Sequence, residues 1–370
     1  MTVAEKLAKT GPRKLLALDG GGIRGVVTVE VLAKIEAYLQ AALGKDDTFV
    51  LADYFDYIGG TSTGAVIAST LAMGMRVDKV RSFYTDSSRE MFDKSSLRQR
   101  FQYKFRNDKL TQRLKDELGA DTTLGSDRLR TLLMLVMRNA TTNSPWPISN
   151  NPHAKFNAPG AQSNLHLPLW QLVRASTAAP TYFAPEVIDV VGQSFVFVDG
   201  GVSVFNNPAF QLFLMATVEP YNLCWQAGQD EMLLVSIGTG TNTRTNAKLA
   251  PGQMNLLYNA GSIPAALMGA AAQEQDFLCR AFGACAVGDP LDSEIGDMIG
   301  ASGPAQPKLF TYLRYNPELS RQGLDALGLP HIQPEQIQPL DAVEQVYELQ
   351  QIGQKVAERV LPEHFARFLD

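Results

Sequence analysis

The sequence predicts an α/β fold: a mostly parallel, helix-covered central sheet followed by a helical C-terminal region. Two observations carry this reading. Strand–turn–helix units fill the first seventy or so residues, and strands alternating with helices at that spacing imply parallel pairing. Three apolar runs each end in a glycine-rich turn, DGGGIRG (19–25), GGTSTG (59–64) and DGG (199–201). In an open parallel sheet, turns of this kind gather at the carboxyl edge, where ligands bind.

The elements follow in order. Lys14 to Leu18 reads as a strand, and Val26 to Leu43 as an amphipathic helix with Val27, Val31, Ile35 and Leu39 on one stripe. Tyr54 to Ile58 is a second short strand, and Thr63 to Met73 a helix of small residues suited to close packing on a sheet. From Asp78 to Arg138 the pattern is mostly helical and polar. Thr141 to Pro168, rich in Asn, Pro and Ser, reads as a long loop of the kind that often serves function or acts as a lid. Trp170 to Ser176 is a helix, and Phe195 to Val198 and Met232 to Ile237 are strands. Beyond about residue 250 the chain reads as helices with Pro-rich connections, including a packed Ala-rich helix at Ile263 to Ala272 and a long helix from Ala342 to Arg359.

Composition narrows the function. The chain has 370 residues, 45% hydrophobic and 19% charged, with a net charge of −5, ordinary for a globular protein and against nucleic-acid binding. A basic, aromatic-spiked run, Arg98 to Arg106, reads as a solvated helix face or a contact to anionic lipid. Three cysteines without a CxxC pair suit a reducing compartment. No secretory h-region and no run of about 18 apolar residues occurs, so the expectation is a cytoplasmic protein that touches membranes peripherally.

Gly60-Thr61-Ser62-Thr63-Gly64 fits GxSxG between strand and helix, the context of a nucleophile elbow, with Gly60 and Gly64 at the crowded flanks. The plain alternative is a serine capping a helix. A serine needs a base, and of the four histidines none ends a strand, although His331 or His364 remains open as a triad member. Asp199 ends a predicted strand, and Gly200 and Gly201 let the chain turn there; a bare turn is the alternative. A carboxylate with a reference pKa of about 3.9 is a weak base and needs oxyanion stabilisation beside it. Gly20, Gly21 and Gly22 can aim backbone N–H groups at one point, with Arg24 as a cation for the oxyanion or a substrate phosphate and Asp19 bracing the loop locally. Gly20 to Gly25 also fits the dinucleotide fingerprint, but the second strand lacks the acidic end that motif needs, and no P-loop lysine follows.

Taken together, DGGGIRG, GTSTG and DGG, with APTYFAP (179–185) and Asn206-Asn207-Pro208, resemble the patatin-like phospholipase family over about residues 13 to 240. The resemblance implies a sheet with helices on both faces, related to the α/β hydrolases, and a metal-free, cofactor-free lipid acyl hydrolase. It makes Ser62 the nucleophile, Asp199 the base, and Gly20 to Gly22 with Arg24 the oxyanion region. One domain spanning 1–370 is expected, with a core at 13–240 and residues 241–370 as lid, dimer surface or regulator. The expected substrate is a phospholipid or galactolipid. A non-catalytic lipid-binding or storage protein of the same fold, a homodimer, and an effector regulated by a cyclic nucleotide stay open.

Overall fold

A computed structural model describes residues 1–91, 107–160, 162–241 and 256–369. The basic run at 98–106 lies outside them. Helix α1 (Val3–Ala8) leads into strand β1 (Arg13–Leu18), helix α2 (Gly25–Ala42), the short helix α3 (Leu51–Tyr54), β2 (Tyr57–Thr61) and α4 (Thr63–Ala72). Helices α5 (Val77–Met91) and α6 (Asn107–Leu118) precede β3 (Leu132–Asn139), β4 (Ser144–Ser149), α7 (Leu169–Ser176), β5 (Glu186–Val190) and β6 (Gln193–Asp199). Then come α8 (Ala209–Thr217), β7 (Met232–Ile237), α9 (Leu256–Phe282), β8 (Ala284–Val287), β9 (Thr311–Tyr315), α10 (Arg321–Ala326), α11 (Pro334–Ile337) and α12 (Val346–Ala357).

The strands form one nine-stranded sheet, ordered β5-β6-β3-β2-β1-β7-β9-β8, with β4 also on β3. Six strands (β1, β2, β3, β7, β8, β9) pair in parallel, and β4, β5 and β6 are antiparallel. Alternate residues of β1 point to opposite faces: Leu16 and Leu18 join a core beneath α2, α4 and α12, while Leu15 and Ala17 join one beneath α8 and the C-terminal part of α9. The sheet is therefore mostly parallel and covered by helices on both faces, as the sequence predicts.

Several boundaries move for identifiable reasons. The second strand begins at Tyr57, not Tyr54, because Tyr54 closes a helical turn whose Asp53 carboxylate accepts the Val50 N–H. It ends at Thr61, so Gly59 and Gly60 belong to the strand rather than to a turn. Within the stretch expected to be helical, Leu132–Asn139 is a buried strand, since an apolar run of that length has no periodicity to tell strand from helix. The expected loop after Thr141 contains β4, a hairpin partner of β3 running from Ser144 opposite Asn139 to Ser149 opposite Met134. The region after Gly240 carries the expected helices, but β8 and β9 add it to the main sheet. The Ala-rich helix is longer than expected, and it is not packed throughout: Leu267 is 65% exposed.

One detail of the pairing positions the site. β2 pairs with β3 as far as Thr61 opposite Val136, while β4 occupies Met134 to Asn139. A strand has two edges, so β2 and β4 lie on opposite edges of β3. β6 pairs with Met137 to Asn139, where β4 already holds one edge, so β6 lies on the edge that β2 uses. β2 and β6 therefore run head-on along one edge, and their last residues, Thr61 and Asp199, face adjacent residues Val136 and Met137.

At the other end of the chain, α12 packs on α2 through Gly353, where a β-carbon would lie 2.7 Å from Glu30 Cβ and 2.9 Å from the Val27 carbonyl. Gly353→Val should push the helices apart and lower stability by about 1–3 kcal/mol in urea unfolding.

Candidate active site

Ser62 follows the last residue of β2 and precedes α4 with φ 55° and ψ −122°, a backbone conformation that costs a non-glycine residue about 1–3 kcal/mol. The flanking glycines make the turn sterically feasible. A β-carbon on Gly60 would sit 2.1 Å from the Gly64 carbonyl oxygen, and one on Gly64 would sit 2.2 Å from the Leu18 carbonyl oxygen. The serine hydroxyl does not cap the helix. Its Oγ–H donates instead to Asp199 Oδ2 at 2.6 Å.

Asp199 Oδ1 accepts the Gly201 N–H at 2.6 Å, and the Asp199 N–H donates to the Ala178 carbonyl at 3.0 Å. Gly200 passes so close to β3 that a β-carbon would lie 2.3 Å from the Val136 oxygen. The carboxylate is buried, and burial pushes its pKa up to about 6, against the pull of the Ser62 and Gly201 hydrogen bonds and of the Arg174 charge. Such a carboxylate is ionised at neutral pH yet more basic than an exposed one, the combination a general base requires. Asp199 reaches Ser62 by a route other than the expected parallel carboxyl edge, because β6 is antiparallel to β3 and descends toward β2.

No histidine among the described residues hydrogen-bonds to either side chain. His331 Nε2 pairs with Gln351, His364 Nδ1 with the Tyr315 hydroxyl, and His166 Nε2 with the Gly160 carbonyl. No cluster of potential metal ligands occurs among the described residues.

The glycine loop lies against the serine: a β-carbon on Gly20 would be 3.2 Å from Ser62 Cβ. Its expected donors divide. The Gly20 N–H is spent on the Asn206 carbonyl at 3.0 Å, which removes it from the donor set, whereas the Gly21 and Gly22 N–H groups are engaged by no group among the described residues. Gly22 has φ +59°, and a β-carbon there would strike the Leu340 carbonyl at 2.3 Å. Arg24 is buried, with Nε 3.4 Å from the Gly21 carbonyl and Nη1 3.3 Å from that of Gly240. Burial lowers its pKa to about 10, against the nearby Asp19 carboxylate. The guanidinium thus braces loop backbone. Asp19 does not act locally as expected: its two oxygens accept Arg314 Nη1 and Nη2 at 2.9 and 2.6 Å.

Ser176 belongs to none of the sequence motifs. At the end of α7 its Oγ accepts the Ser62 N–H at 2.9 Å and donates to the Val136 carbonyl at 2.5 Å, tying the elbow to β3. A lone serine ending an amphipathic helix carries no sequence signal for this. Asn206, part of the Asn-Asn-Pro motif but given no role from sequence, sits between the two glycine turns, where its Oδ1 would meet β-carbons on both Gly20 (2.4 Å) and Gly201 (2.8 Å). Ser176→Ala leaves a buried donor and acceptor unpaired. It should cost about 1–3 kcal/mol in urea unfolding.

The sequence model of the patatin-like phospholipase family matches residues 16–213. A cGAMP-activated phospholipase of Escherichia coli (strain TW11681) is 29% identical over 231 residues, covering 61% of this chain and 62% of that protein. Patatin group J-1 of Solanum tuberosum is 29% identical over 246 residues, 62% of this chain and 61% of that protein. An intracellular phospholipase A2 of Caenorhabditis elegans is 32% identical over 232 residues, 61% of this chain but 19% of that protein. The alignments span about three fifths of the first two relatives and about one fifth of the third. With the family model matched over more than half of this chain, and with the ordered motifs folded around one serine, the chain belongs to the patatin-like phospholipase family.

Proposed function

We propose that this protein is a serine lipid acyl hydrolase that works through a Ser62–Asp199 dyad and an acyl-enzyme, within one catalytic unit formed by the whole chain. The observation that carries the reading is the 2.6 Å bond from a strained serine hydroxyl to a buried carboxylate whose pKa is raised to about 6. Asp199 takes the Ser62 proton as Oγ bonds to the ester carbonyl carbon. The carbonyl oxygen becomes an oxyanion beside the Gly21 and Gly22 N–H groups. Donors of this kind are worth about 2.7–4 kcal/mol each elsewhere. The ester C–O bond then breaks, the leaving alcohol takes the proton from Asp199, and Ser62 carries the acyl group. Water loses a proton to Asp199 as it attacks the acyl carbon, and that proton returns to Ser62 as the fatty acid leaves.

Two relatives named as phospholipases make a phospholipid the first substrate to test, and the resemblance of the motifs adds galactolipid second and contact at a lipid surface. No described helix is long and apolar enough to cross a membrane. A lipid-binding protein of the same fold would need neither the strained serine nor the raised carboxyl. The E. coli relative's name extends the proposal to activation by a cyclic dinucleotide, which a rise in turnover on adding cGAMP would support and an unchanged rate would remove.

Fatty-acid release from phospholipid vesicles tests the dyad. Ser62→Ala and Asp199→Asn should each lose at least about a thousandfold in kcat, since the members of such a unit fail together. Full activity in either would refute it. The acid limb of kcat/KM should fall with an apparent pKa near 6, losing tenfold per pH unit below it, rather than near 4.

Stability should move the opposite way. A raised carboxyl pKa means the native state holds the Asp199 proton more tightly than the unfolded chain, so ionisation costs stability as pH rises from about 4 through 6. Asp199→Asn removes that cost and should gain on the order of 1–3 kcal/mol in unfolding at pH 7 and little at pH 4.

A further inference from the structure

The glycine loop is held from far along the chain. Ile237 O accepts the Asp19 N–H at 3.1 Å, Thr239 Oγ1 donates to the Gly20 carbonyl at 2.9 Å, and Leu340 O accepts the Ile23 N–H at 2.9 Å. Arg314 on β9 forks onto Asp19 and also donates to Ser236 Oγ at 2.7 Å. All four holds come from beyond residue 213, where the family match ends.

Behind Arg314 lies a second buried pair. Arg280 on α9 donates through Nε and Nη2 to the two oxygens of Asp276, both at 2.8 Å, and through Nη1 to the carbonyls of Asp289 and Asp297. Asp276 lies 3.7 Å from Arg314 Nε and accepts the Tyr312 hydroxyl at 3.1 Å. Asp19, Arg314, Asp276 and Arg280 are all buried, and their charges alternate and cancel. Two forked contacts fix direction as well as distance. Removing one member strands a buried charge.

We infer that Asp276 and Arg280 are positioning residues of the acyl-transfer site, acting through Arg314 on Asp19 to hold the Gly21 and Gly22 N–H groups in place. The inference rests on the acyl-hydrolase reading for its effect on turnover, but not for its effect on the loop. Oxyanion donors work because they are fixed before the reaction, and a displacement of about 1 Å can cost about a hundredfold. The segment outside the family match thereby becomes part of the site's frame.

The test uses the full chain with Asp276→Asn, Arg314→Lys and their combination. Amide exchange in the peptide covering 18–25 should speed up at least about tenfold in each, with the α12 peptide unchanged. On phospholipid, kcat should fall about 10- to 100-fold with KM within about threefold and the acid limb unmoved. The double variant should be no slower than Arg314→Lys alone, as members of one network do not add. Tyr312→Phe, which keeps every charge, should move the same readouts by about threefold and guards against misfolding of the others. Wild-type exchange at 18–25 in folded variants, multiplicative losses, or a lower Tm with full turnover per folded molecule would each overturn the inference. If the wild type hydrolyses no ester, the acyl-hydrolase reading fails, and the exchange measurement still decides the anchoring.

Discussion

The hydrogen bond between Ser62 Oγ and Asp199 depends on two strands meeting end to end along one edge of β3. Thr61 and Asp199 pair with neighbouring residues, so the Ser62 hydroxyl and the carboxylate are placed by backbone register and not by flexible loops. The surrounding arrangement serves this meeting. Gly60, Gly64 and Gly200 remove side chains where backbones cross, Ser176 pins the elbow to Val136, and the Ala178 carbonyl holds the Asp199 N–H. A sheet is well suited to this task, since a strand fixed by its ladder moves little on the scale of a hydrogen bond.

Burial sets the chemistry. The same exclusion of water that raises Asp199 also makes its bond to Ser62 stronger than it would be in solvent. In the proposed dyad a carboxylate without a histidine has to gain basicity from its surroundings, and desolvation is the largest cause of the Asp199 shift. The cost appears elsewhere: Arg174, with its Nη2 on the Ala184 carbonyl and its guanidinium 5.4 Å from the Phe183 ring, sits near enough to temper the shift. Burial likewise raises the carboxyl at Asp19, and there a two-point arginine contact opposes the shift and fixes the glycine loop.

Much of this was legible in the sequence. The strand–turn–helix rhythm identified the sheet, and the three glycine turns picked out the serine, the aspartate and the loop that the structure brings together. What was not legible follows from distance along the chain. β3 carries no polar alternation because it is buried on both faces, so its type could not be read locally. The antiparallel approach of β6 is a property of pairing, which no single run of residues encodes. Ser176 and Arg314 act at sites 114 and 295 residues away, and each looks ordinary in its own segment. The pairing of the Gly20 N–H with the Asn206 carbonyl, which removes Gly20 as a donor, joins two motifs 186 residues apart and is written in neither.

The most direct test of the central claim is covalent labelling of the folded protein with a fluorophosphonate, followed by peptide mapping. The account predicts a single adduct on Ser62, formed rapidly in the wild type and lost in Asp199→Asn, because only a serine whose proton has a base to go to attacks phosphorus. A wild-type protein that stays unlabelled, an adduct on another residue, or labelling as fast in Asp199→Asn as in the wild type would contradict it.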